Sequence, residues 1–71
     1  MFTAAEIPSY RCVAVSIGDT TSYYRRYAAQ TWVRAHHDGD VWYETPVPAK
    51  MPETVCGYYS HRTLPLSEYP V

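Results

Sequence analysis

The sequence predicts a small α+β domain in which one helix packs on a short antiparallel sheet, in the order β-α-β-β, followed by an extended proline-rich arm. Three observations carry that prediction. Residues 10–17, YRCVAVSI, alternate larger apolar with small side chains at a period of two, as a half-buried strand does. Residues 22–37 place Tyr24, Tyr27, Ala28, Thr31, Trp32 and Ala35, none of them charged, on one arc of about 140° at the helical repeat. Gly39 then interrupts the chain ahead of VWYET, which has the aromatic and β-branched content of a strand.

The elements follow in order. In the first strand Val13, Val15 and Ile17 share one face and Cys12, Ala14 and Ser16 the other. Gly18-Asp19-Thr20-Thr21-Ser22 combines a breaker with side chains that cap helices. The helix expected over 22–37 turns Ser22, Arg25, Arg26, Gln30, Arg34, His36 and His37 outward, with Tyr23, Ala29 and Val33 as exceptions. A strand reading has fair alternation too, but it needs about fourteen residues in one strand where five or six are usual. The Ala28-Ala29 pair also disfavours it. Against the helix, Arg25 and Arg26 would sit near its positive end. The alternative is an all-β meander or small barrel, with Asp38-Gly39 as a type I′ turn joining TWVRAHH to VWYET. Beyond VWYET, residues 45–53 contain Pro46, Pro48 and Pro52 and read as a stiff linker. ETVCGYY is a short strand candidate weakened by Gly57, and residues 64–71, LPLSEYPV, read as an extended arm.

Residues 1–71 make one domain. A chain this short buries only about 60% of its unfolded surface, and its core rarely contributes more than about 3–5 kcal/mol without a staple or partner. The large aliphatics are two Ile, two Leu and seven Val, so the eight Tyr and two Trp must supply much of the packing. A deep catalytic cleft needs walls that this inventory can barely build, and no enzyme activity is expected. The chain has no Asn and one Lys against five Arg, the mark of a GC-rich coding sequence. Tyrosine runs against that bias, so its abundance reflects what its ring does.

The net charge of −1 conceals an asymmetry. Arg25, Arg26 and Arg34 lie together with His36 and His37 beside them, while all seven acids lie outside 22–37. A dedicated nucleic-acid module is usually basic overall; a dipolar chain with a small basic face suits an acidic protein patch. The opening MFTAAEIP has no basic or apolar leader pattern and carries Pro8, so no export signal is expected. The apolar run at 12–18 is far below the ~20 residues that cross a bilayer. A cytoplasmic protein is expected, with Cys12 and Cys56 as two free, buried thiols.

Three constellations could carry site chemistry. Zinc would have to use Cys12, Cys56, His61 and either His36 or His37, but the cysteines are 44 positions apart and form no close ligand pair. The HHDGD stretch at 36–40 has two acids around a glycine without the later bidentate Glu of a calcium loop. Cys56 with His61 would be a nucleophile–base pair lacking an oxyanion element. No catalytic residue, metal or cofactor is therefore assigned.

Binding is the remaining reading. Tyr, Trp and Arg dominate interface hot spots and Lys is depleted there, which is this chain's profile. The expected contact residues are Tyr23, Arg26, Gln30, Arg34 and His37 on the helix, with Trp42 and Tyr43 on the next strand. The partner expected is a protein with an acidic patch, and a homodimer is admitted by the same reasoning. The alternative is a nucleic acid read by the basic helix face; no membrane partner is expected. No family motif is present. The profile of a tiny, tyrosine-rich, motif-free chain is similar to the inhibitory accessory proteins with which phages and mobile elements occupy a host protein.

Overall fold

Four consecutive strands fold back on one another before the helix forms. The computed structural model describes residues 6–71; the stretch 1–8 read above for an export signal therefore falls largely outside the described residues. The elements are β1 (Arg11–Ile17), β2 (Thr20–Ala28), β3 (Thr31–Asp38), β4 (Val41–Pro48), α1 (Lys50–Tyr58) and β5 (Ser60–Pro65), followed by a 3-10 turn, Leu66–Glu68. Every strand pairing is antiparallel, and the spatial order β4-β3-β2-β1-β5 is an open sheet. The last strand returns to the free edge of the first. A small domain with one helix on an antiparallel sheet is what the structure shows, but its order is β-β-β-β-α-β and not β-α-β-β. Among the described residues, no helix is long and apolar enough to cross a membrane.

The helix expected over 22–37 is instead the hairpin β2–β3. The objection to a single long strand dissolves because the chain reverses at Ala29–Gln30, with Ala28 paired to Thr31. That turn has no glycine and no residue of positive φ, so it carries no hairpin signal in sequence. Two-residue turns of that kind splay the strands, and the register shifts between Arg26 and Ala28 to accommodate it, leaving Tyr27 as the bulged residue. The other two reversals use glycine. Gly18 (φ 62) and Gly39 (φ 64) each hold the first central position of a two-residue turn, followed by Asp19 and Asp40. Gly39 therefore begins the turn and does not end it, which is the II′ pattern where I′ was expected.

The stretch expected as a proline linker, 45–53, is the end of β4 and the first turn of α1. β4 pairs only with β3. Pro46 and Pro48, two apart, turn their imino nitrogens to the same side, and an edge strand tolerates this on its open side. Pro52 lies in the first helical turn, where its missing N–H would have had no partner. The strand candidate ETVCGYY is the rest of α1: Met51 with Val55 and Pro52 with Cys56 stand four apart and turn toward the sheet. In the expected arm, 64–65 belong to β5 and the rest folds back, with the Leu66 N–H donating to the Tyr10 carbonyl at 3.1 Å.

The core lies between α1 and one face of the sheet. Val13, Val15, Tyr24, Trp32 and Val47 pack there with Ile7 and Cys56, and Ala49, Met51 and Val55 close its margin. Trp32 is fully buried, and the Arg26 guanidinium lies 5.2 Å from its ring centre. β1 is also buried on its reverse side, where Cys12 and Ala14 are covered. A half-buried strand was expected, and what covers that second face matters for function.

Candidate binding face

The pleat decides which residues share the face away from α1. In register across the five strands, Arg62, Ala14, Tyr23, Ala35 and Glu44 form one row. Leu64, Cys12, Arg25, Val33 and Pro46 form the row beside it. Small residues thus floor the centre of this face, and Ala14, Val33 and Ala35 are buried beneath what stands around them. The Tyr23 ring meets Trp42 edge-on at 5.7 Å and Tyr69 at 6.4 Å, with interplanar angles of 73° and 83°. His37 continues the series, 4.7 Å from Trp42. The result is a run of mutually perpendicular rings across four strand and arm positions, a geometry that aromatic pairs favour.

One end of the run is held by an ionic clamp. Arg25 Nε donates to Glu44 Oε2 at 2.9 Å and Nη2 to Oε1 at 3.2 Å, while the Tyr69 hydroxyl donates to the same Oε2 at 2.7 Å. The Arg25 guanidinium also lies 5.4 Å from the Tyr69 ring centre and 5.8 Å from that of Tyr27. The hydrogen bonds from Arg25 hold the Glu44 carboxyl below its usual range against the opposing effect of desolvation, with Tyr69 adding to the same effect. Burial, reinforced by Glu44, pushes the Tyr69 hydroxyl up, so it stays neutral and donates. This clamp pins the C-terminal arm to β2 and β4 through residues no sequence pattern linked.

The seven expected contact residues separate. Tyr23, His37 and Trp42 come together on this face. Arg26 and Arg34 lie on the opposite face: Arg26 donates to the Ala29 carbonyl at 2.8 Å and the Ile7 carbonyl at 2.7 Å, bracing the core. Arg34 stands beside the buried Tyr24 hydroxyl, and its Nε is buried without a hydrogen-bond partner. Tyr43 pairs with His36 on that same side, 6.1 Å centre to centre. Gln30 is exposed at the β2–β3 turn, at the other end of β3 from His37. The basic helix face therefore does not exist, because its helix does not. Arg25, Glu44 and Tyr69 were missed; the signal that could have found part of the site is strand alternation, since Tyr23 and Arg25 stand two positions apart and share a face in a strand.

Both cysteines are buried and unpaired. Cys56 and His61 line one depression of about 740 Å³ with Glu6, Ile7, Glu53, Gly57 and Thr63. Burial pushes the Cys56 thiol up to about 11, which keeps it protonated, and a poor nucleophile, at neutral pH. Among the described residues, no three His, Cys, Asp or Glu side chains are grouped as a metal site would need. Compared with family models, curated proteins and solved structures, the chain matches none.

Proposed function

We propose that the protein is a non-enzymatic binding module that engages a protein partner through the aromatic face of its sheet, with Tyr23, His37 and Trp42 as the contact core and Tyr27 at its margin. The observation that supports this most is the run of near-perpendicular rings, half-buried at Tyr23, Trp42 and Tyr69 and exposed at His37, on the face that α1 leaves uncovered. Rigid aromatic side chains lose little conformational freedom on binding and give much contact area. The run is fixed beforehand by the Arg25–Glu44–Tyr69 clamp, and a surface ordered in advance binds at lower entropic cost. Occupancy of a partner's surface, as an accessory protein acts, needs nothing more. With Arg26 and Arg34 engaged in the fold and Arg25 neutralised by Glu44, a nucleic acid would find little unpaired charge along the rings themselves.

The test is retention of a partner from the source cell by the tagged chain. The pair Tyr23→Ala and Trp42→Ala should abolish a stoichiometric protein band, whereas Tyr58→Ala, at an 81% exposed ring on α1, should leave it. Binding to generic DNA with a steep inverse dependence on salt would contradict the reading.

A further inference from the structure

Beside the rings, the same face carries a small depression of about 120 Å³ lined by Ala14, Ser16, Ser60, His61 and Arg62. Its position follows from the register. Ser16 lies between Ser60 of β5 and Thr21 of β2, and Ala14 lies between Arg62 and Tyr23. The floor is small, so the hydroxyls and the guanidinium project past it. Arg62 is exposed and makes no ion pair or hydrogen bond among the described residues. No acid lines the depression. This distinguishes Arg62 from Arg25, whose charge Glu44 already satisfies.

We infer that this depression is an anion subsite of the aromatic face, and that the partner presents there the carboxylate of an Asp or Glu side chain next to an apolar residue. The assignment rests on the proposed protein-binding role of the face and specifies the partner's chemistry. A guanidinium offers a planar pair of donors that fits a carboxylate, and Ser16 and Ser60 supply hydroxyl donors at the same place. Arg62 and Tyr23 stand two strands apart, about 10 Å at the usual strand spacing. In an extended peptide, side chains four positions apart share one face and stand about 13 Å apart, so one segment can set its carboxylate on Arg62 and an apolar side chain against Tyr23 and Trp42. A protein carboxylate is favoured over a nucleic-acid phosphate because Arg62 is a single charge, and phosphate-backbone binding draws on several.

The experiment is an NMR titration of the full chain with the peptide acetyl-Trp-Gly-Gly-Gly-Glu-amide, its Gln counterpart and a dT oligonucleotide. The Glu peptide should shift the amides of residues 14–16 and 60–62 together with those of 21–23 and 42. Its affinity should fall about twofold to fivefold with the Gln peptide and, equally, with Arg62→Gln, a range consistent with one exposed charge contact. Shifts confined to 21–23 and 42, equal for the Glu and Gln peptides, would overturn the subsite and leave the aromatic face standing. No shift on either region would overturn both. Tighter binding of the oligonucleotide at 60–62 would overturn the carboxylate assignment in favour of phosphate.

Discussion

Arg25 and Arg26 are adjacent in the chain, yet the pleat sends their guanidinium groups to opposite faces of the sheet. Arg26 supports Trp32 and ties β2 to the carbonyls of Ile7 and Ala29; Arg25 holds Glu44 and stacks near Tyr69. Their roles differ, and so do the expected effects of removing them. Arg26→Gln should lower stability by about 1–3 kcal/mol, the range for losing a part-buried hydrogen bond from a charged donor, read as a lower urea midpoint. The Arg25–Glu44 pair should instead show itself in pH dependence. Glu44 titrates lower in the folded state than its ordinary value of 4.5. Its contribution is therefore present above that value and disappears as pH falls through the folded one. The thermal midpoint should drop on acidification below about pH 4.5, and Glu44→Gln should flatten that part of the drop. Little of this was legible residue by residue, because the helix reading turned Arg25 and Arg26 outward together and only the alternation of a strand separates them.

At the scale of elements, legibility tracked glycine and failed where a turn lacked it. β1 was readable from its alternation, and Gly18 and Gly39 as breaks in the chain, although the break at Gly18 was assigned to a helix start and a hairpin at Gly39 belonged only to the alternative all-β reading. The β2–β3 turn at Ala29–Gln30 was not, and the apolar arc of 22–37 then imitated a helix, since Tyr24 and Trp32 belong to two strands that meet the same core. Proline misled in the opposite direction. Pro46, Pro48 and Pro52 suggested a linker, although an edge strand accepts the first two and a first helical turn the third. Two outcomes follow for the β3–β4 hairpin and its edge. Gly39→Ala, at φ 64, should cost about 1–2 kcal/mol, the penalty for a side chain in left-handed backbone, measurable by urea unfolding. The double change Pro46→Thr and Pro48→Thr restores two N–H donors to the open side of β4, and such an edge invites strand pairing between molecules. Sedimentation should show concentration-dependent self-association in that variant beyond that of the native chain.

For the molecule as a whole, the shortage of aliphatic side chains was the most useful feature of the sequence. Buried Tyr24 and Trp32 anchor the core as expected, but Tyr10, Tyr27, Tyr43, Tyr58 and Tyr59 remain exposed at 70, 67, 49, 81 and 46%. Rings left outside were foreseeable from length and composition. Which of them would be organised was not, because Tyr23, Trp42 and Tyr69 come from three separate elements and meet only through the sheet order and the returning arm. The central claim is that this organised face meets a protein. Replacing Tyr27, on its margin, with p-benzoylphenylalanine and irradiating the producing cells tests it most directly. A single discrete protein adduct, absent when Tyr23→Ala and Trp42→Ala are added and absent when the photoreactive residue is at position 58, is the predicted result. A nucleic-acid adduct, or the same pattern of adducts from positions 27 and 58, would contradict it.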